Sequence, residues 1–229
     1  MRAFIVSMLC FALLVLSGCA VNNRIPKGDV YPEMYLEMPK TVMVLPAVNH
    51  STAADAPNLY SSTIAQPLAN SGFYVLSTEI TQKFLRNEGL STGDQMLSIP
   101  PQKFSKIFGA DAVLYVTIDR WDTNYYVIGG NVKVGISYKL KSTKTGAEIW
   151  SYANELVMDT SGDSNNGGGL LGALIATAIK TSTQDYVPIA RNVNYIALNN
   201  IPYGGYHNLH GKDSKQMIVP PANSTVAQP

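Results

Sequence analysis

The stretch from Thr41 to Leu76 restricts the fold of this chain more than any other. Thr41-Val42-Met43-Val44-Leu45-Pro46-Ala47-Val48 is apolar and rich in β-branched residues, and it closes on Asn49-His50-Ser51. It predicts a buried strand whose end Pro46 places at a sheet edge or bulge, because proline cannot donate to a ladder. Ala56–Asn70 then carries Leu59, Tyr60, Ile64 and Leu68 at helical spacing, with Pro57 near its start and Ser71-Gly72 at its end, the start and stop signals of a helix. Phe73-Tyr74-Val75-Leu76 follows as a second strand. Strand, helix and strand in this order favour parallel pairing through a right-handed crossover.

The rest of the chain adds to that seed. Thr78–Asn87 reads as a helix with Thr78 as its cap, Phe84 and Leu85 on one face, and Gly89 as its stop. Ser91–Ile99 reads as a connection, and Pro100-Pro101 opens a helix with Phe104, Ile107 and Phe108, ended by Gly109. Asp111–Trp121 is continuously apolar enough for the middle of a sheet. From Asn131, Val132, Val134, Ile136, Tyr138 and Leu140 alternate with polar residues, four of them Lys133, Ser137, Lys139 and Lys141, the period of a half-exposed strand. Thr143-Lys144-Thr145-Gly146 turns the chain into an antiparallel partner, Ala147–Met158. Ser161–Gly169 is a Gly, Asn, Asp and Ser run. Leu170–Ile179 is apolar nearly all round but too short to span a bilayer, and fits a buried helix, with Gly168, Gly172 and Ala176 at four-residue spacing for close packing. A last helix covers about Tyr186 to Leu198. The fold class expected is α/β, a mixed sheet of about five strands, with a parallel βαβ half, an antiparallel hairpin and helices packed on it.

The N-terminus fixes location. Arg2 precedes an apolar run, Ala3–Leu16, of signal-peptide length, and Leu16-Ser17-Gly18-Cys19 has the small residues and the cysteine of a lipoprotein processing site in the right order. Cys19 offers the sulfur for a thioether to diacylglycerol, and cleavage falls just before it. Three acyl chains, at about 0.8 kcal/mol per buried CH₂, make a permanent anchor. Ala20, not Asp, follows the cysteine, which resembles the default signal for export to the outer membrane of Gram-negative cells. The organisation expected is a signal peptide over 1–18, a lipidated tether over 19–39 with Pro26, Pro32 and Pro39, one periplasmic domain over 40–200, and a Pro/Gly-rich tail over 201–229, disordered past about Gly211. Tyr31, Met34, Tyr35 and Met38 in the tether are candidates to dock on the domain.

Chemistry is sparse. A net charge of +1 and the lack of a Lys/Arg cluster exclude an electrostatic grip on nucleic acid. Of two cysteines, Cys10 lies in the leader and Cys19 is used for lipid, so neither a disulfide framework nor a cysteine-ligated zinc site can be built. His207 and His210 lack a third ligand at a useful spacing, and no metal or cofactor is expected. Gly167-Gly168-Gly169 lacks the lysine of a phosphate loop. Asp111, Asp119, Asp122 and Glu148 read as surface or turn-capping carboxylates, so no catalytic residue is assigned. Asn49, His50, Asp119 and Asp122 mark a candidate ligand cleft at strand ends, where α/β sheets expose binding groups. Trp121, Tyr125 and Tyr126, in a connection running to Ile128, are candidate partner-binding aromatics.

Taken together, the lipoprotein signal, Val42-Met43-Val44-Leu45-Pro46 before a polar loop and helix, Gly72-Phe73-Tyr74-Val75-Leu76, and Gly109-Ala110-Asp111-Ala112-Val113-Leu114 leading into a long hairpin resemble the GNA-antigen-like family of Gram-negative lipoproteins, a domain of unknown function. The resemblance spans roughly Pro39 to Leu198. The same order is similar to the periplasmic domain of the curli-secretion lipoprotein CsgG and the amino-terminal domain of TolB. It implies no enzyme activity and no cofactor. The reading that follows is a non-enzymatic outer-membrane lipoprotein, facing the periplasm, that assists an envelope or secretion complex, with other envelope lipoproteins or a second copy of itself as partners. Two alternatives stay open: a periplasmic ligand-binding module, and a CsgG-like oligomeric pore component, for which the Asn131–Met158 hairpin is the only candidate membrane-spanning pair.

Overall fold

The computed structural model describes residues 24–126, 129–159 and 186–220. Leu16–Cys19, the glycine-rich run and Leu170–Ile179 lie outside them. The apolar run at Thr41 forms β2 (Thr41–Val44) and β3 (Val48–Asn49), preceded by β1 (Ile25–Pro26). Both β2 and β3 pair in parallel with β5 (Ala112–Tyr126), Val44 opposite Leu114 and Val48 opposite Thr117. Four steps on one strand meet three on the other, so the extra residue is absorbed at Leu45-Pro46-Ala47, where Pro46 could not have donated. Helix α3 (Ala56–Asn70) crosses over to β4 (Tyr74–Val75), which pairs in parallel with β2. β6 (Gly129–Ser142) and β7 (Glu148–Asp159) complete a mixed sheet of order β4-β2-β5-β6-β7, with β3 also on β5.

Two apolar clusters sandwich the parallel half. On one face, α3 and α7 (Val187–Leu198) bury Tyr60, Ile64, Leu68, Ile189 and Val193 against Val42, Val44, Leu114, Tyr138, Leu140 and Trp150. On the other, α4 (Thr78–Asn87), α5 (Gly93–Leu97) and α6 (Gln102–Phe108) bury Leu85, Met96 and Phe104 against Met43, Leu45, Val113 and Tyr115. α5 occupies what the sequence suggested was a connection. Its capping box of Thr92 and Gln95 holds the first turn, and a side chain at Gly93 would collide with the backbone of Ala47 and Val48.

Three expectations are corrected. The aromatic stretch at Trp121 is strand, not connection: β5 runs to Tyr126 and β6 starts at Gly129, with Trp121 opposite Val134 and Tyr125 opposite Gly130. A bulge between Ile118 and Arg120 shifts the register by one. It lets Trp121 join Ile118 in the same buried cluster. The tether is shorter than expected, because α1 (Lys27–Val30) and α2 (Pro32–Glu37) fold onto the domain and bury Val30, Tyr31 and Met34 in the first cluster. The tail is folded as far as Pro220: Ile201 and Ile218 are buried, and β8 (Met217–Ile218) pairs antiparallel with β1. These short elements bury Val30, Tyr31, Met34, Ile201 and Ile218, and a buried ion pair, Lys27 Nζ to Asp213 Oδ2 at 3.1 Å, joins the two ends of the domain.

Candidate functional site

Two concavities involve the helical layer that carries the second cluster, one within it and one between it and α3. The first is built by α4 and α6. Ser77 caps α4, its hydroxyl accepting from the Ile80 N–H. Thr81 and Leu85 then point into the core, while Ile80 and Phe84, one turn apart, point away from it and are 71% and 43% exposed. On α6, Phe104 is buried and Ile107 is 58% exposed. The Phe84 and Phe108 rings meet edge to face at 5.2 Å. Between the helices lies a groove of about 400 Å³ with Leu85, Leu90 and Phe104 in its lining and Glu88 and Lys103 as its charged members. Leu97 on α5 of the same layer is also 61% exposed. Single exposed apolar residues are ordinary, but a contiguous group around a groove marks an interaction site.

The second is a polar cavity of about 270 Å³ beside the break between β2 and β3, lined by Asn49, Asn58, Ser61, Gln82, Arg86 and Thr92 among others. Asn49 shapes its loop: its amide donates to the Ala53 carbonyl at 2.9 Å and its carbonyl accepts from the Ser51 hydroxyl at 2.7 Å. Gln82 donates to Ser61 Oγ at 3.1 Å, tying α4 to α3. This wall offers amides, hydroxyls, the Arg86 guanidinium and the Asp94 carboxylate.

Of the residues singled out from sequence, His50 and Asp119 come together, while Asn49 and Asp122 are engaged elsewhere. Asn49 lines the polar cavity, but His50 and Asp119 form a separate exposed pair, Nδ1 to Oδ1 at 3.4 Å, with Ser137 also donating to Asp119. Asp122 pairs with Arg120, which reaches Glu155 at 3.3 Å on β7. Glu148 pairs with Lys139 at 3.4 Å. Asp111 serves the fold, since its carboxylate accepts from the Lys40 and Thr41 N–H groups at 3.0 and 2.8 Å and so fixes the start of β2. His207 stacks on Tyr203 at 3.7 Å, and His210 Nδ1 lies 2.7 Å from the Tyr203 carbonyl. Among the described residues, no three His, Cys, Asp or Glu side chains are grouped to hold a metal. Trp121 is buried and meets Tyr186 edge to face at 6.4 Å.

Sequence reasoning missed the groove. Its signal was present: Ile80 and Phe84 form a second apolar stripe on α4, beside Thr81 and Leu85, and one helix needs only one stripe to dock.

A family model described as "Putative lipoprotein GNA1162-like" matches residues 30–208. The relative "Putative lipoprotein NMB1124/NMB1162" of Neisseria meningitidis serogroup B is 28% identical over 194 residues, covering 84% of this chain and 88% of its own. The crystal structure of lipoprotein GNA1162 from Neisseria meningitidis aligns with a TM-score of 0.51 and 26% identity, covering 62% of this chain and 95% of that one. The LpoB C-terminal domain from Salmonella enterica aligns more loosely, with a TM-score of 0.39 and 20% identity over 57% of this chain and 95% of its own.

Proposed function

This chain belongs to the GNA1162-like lipoprotein family, and on that premise we propose that it is a non-enzymatic accessory component of a cell-envelope complex. In this reading it is anchored by lipid on Cys19 after cleavage at Leu16-Ser17-Gly18, held at the outer membrane and turned to the periplasm. It works by docking an apolar segment of another envelope protein into the groove between α4 and α6. The groove is the observation that carries the reading. Its apolar walls suit an amphipathic helix or a strand with alternate apolar side chains. The charged lining is balanced, Glu88 against Lys103, so apolar contact and not charge selects the docked segment. A photo-crosslinking residue at Ile107, in intact envelopes, is expected to capture one defined envelope protein, and the same residue at Val157 on β7 is not. Equal capture at both positions, or none at Ile107, would contradict the docking site.

The polar cavity supports a second reading, a small polar ligand held by Arg86, Asn49 and Gln82. Arg86→Ala would then abolish a ligand-dependent rise in melting temperature that the wild type shows against a panel of small polar periplasmic solutes. The pore alternative has less to build on. Val132, Val134, Ile136, Tyr138 and Leu140 are all buried inside the single chain, so over this stretch β6 has no apolar face left to offer a bilayer.

A further inference from the structure

The fold begins almost where the lipid would be. Only residues 20–24 separate Cys19 from β1, and six extended steps span at most about 20 Å. A domain held this closely keeps the surface around β1 within about 20 Å of the bilayer.

That surface is the β1–β8 ribbon. Pro26 lies opposite Met217 and Ile25 opposite Ile218, and the same register continued by one residue sets Val219 against Arg24. Ile218 is buried, whereas Met217 and Val219 are 50% and 60% exposed. The turns leading into β8 expose Tyr206 and Leu209 as well. Arg24, Lys212 and Lys215 are exposed beside them. From Ile201 to Pro229 the only acidic residue is Asp213, which is buried against Lys27, so the exposed charge of the tail is positive. Asp29 and Glu33 on the strap formed by α1 and α2 are exposed and dilute it, which leaves the weight on the apolar side chains and the short reach. Exposed Met, Val, Leu and Tyr interleaved with Lys and Arg are the composition of a surface that lies in the headgroup layer.

We propose that this ribbon rests on the membrane carrying the Cys19 lipid, with Met217 and Val219 entering the headgroup region and Arg24 and Lys215 at lipid phosphates. The proposal rests on the anchor reading above and deepens it by fixing how the domain stands. The turns leading into β8 are tied to the end of the sheet where β2 and β4 begin, Tyr206 N–H donating to the Gly72 carbonyl and Gly204 N–H to that of Ser71, and they are tied to the ribbon through Asp213, which accepts from the Tyr203 N–H and pairs with Lys27 next to β1. β5 runs away from that end for 15 residues, about 50 Å at roughly 3.3 Å per residue. The polar cavity and the far end of the hairpin therefore point into the periplasm.

The mature chain has no cysteine except Cys19, so an introduced cysteine is the only free thiol once Cys19 is lipidated. Met217→Cys, Val219→Cys and Val157→Cys, each labelled with an environment-sensitive fluorophore, would be purified with their lipid. They would be reconstituted in vesicles of phosphatidylethanolamine with a minor fraction of phosphatidylglycerol and a headgroup quencher lipid. All three positions are exposed, so the fold tolerates the label. The expected result is loss of most of the fluorescence at 217 and 219 and little loss at 157. Equal quenching at all three, or stronger quenching at 157, in protein whose intact mass carries the acyl chains, overturns the orientation and leaves the anchor standing. A Cys19 found without acyl chains overturns the anchor and the orientation with it.

Discussion

Asn194 shows how one buried polar side chain holds three elements in register. It accepts the Tyr138 hydroxyl at 2.7 Å from β6 and donates to Thr63 Oγ1 at 2.8 Å on α3, while being 1% exposed itself. Asn194→Leu removes the acceptor and strands the Tyr138 hydroxyl, a loss of about 1–3 kcal/mol. At roughly 2–4 °C per kcal/mol for a chain of this size, the melting temperature should fall by several degrees, and Tyr138→Phe in the same background should recover part of it. Gly72 is a second fixed point. Its φ is +87°, and a Cβ there would strike the backbone of His207. Gly72→Ala is expected to loosen the tail, seen as faster hydrogen exchange over residues 203–218. Gly72 and Asp111 belong to the stretches that carried the family resemblance, and each has a backbone reason for its identity. None of this could be read from spacing, because the groups they meet lie far away in sequence.

At the scale of elements, the strap and the tail depend on each other. Lys27 and the Asp213 carboxylate are almost fully enclosed, and the Lys27 N–H also donates to the Gln216 carbonyl at 2.8 Å. Lys27→Met leaves Asp213 buried without its counter-charge, a cost of about 3–5 kcal/mol. The double variant Lys27→Met, Asp213→Leu should regain most of it, measured by chemical unfolding. Elements of this kind are where sequence reading failed. The parallel half, the long hairpin and α7 were legible because each has a strong period or a clear stop such as Gly109. β1, α1, α2, α5 and β8 were not, being two to six residues long and held by tertiary contacts, which local pattern does not encode. The strand character of Trp121–Tyr126 was hidden by the bulge at Ile118, which breaks the alternation that a strand is recognised by. The groove was half legible, through Phe84 and Phe108, but the two helices meet only in the fold.

The described residues form a sheet with one face covered over all but the far part of β7 and helices over only part of the other, joined by short elements that bring both ends of the domain together. The covered face is lined with phenols. Burial raises Tyr60 and Tyr138 well above the usual tyrosine value of 10.0, and Tyr31 is raised by the same cause. In the folded state these groups stay protonated, while in the unfolded chain they ionise near 10. Stability should therefore be unaffected by them below that pH and fall as pH rises through and above about 10, which urea unfolding at pH 8, 10 and 11 would follow. Substituting Cys19 by Ala is expected to move the protein from membranes to the soluble fraction with an unchanged melting temperature, because the fold starts beyond it.

The proposed recruitment of a partner through the groove between α4 and α6 is tested most directly by co-purification from envelopes in mild detergent. The comparison is of the wild type with the double variant Phe84→Asp, Ile107→Asp and with Cys19→Ala, after thermal unfolding has shown each to be folded. The expected result is a fixed envelope protein recovered with the wild type and lost with the groove variant. Recovery of the same protein with the groove variant, or of no protein with the wild type, would contradict recruitment through the groove.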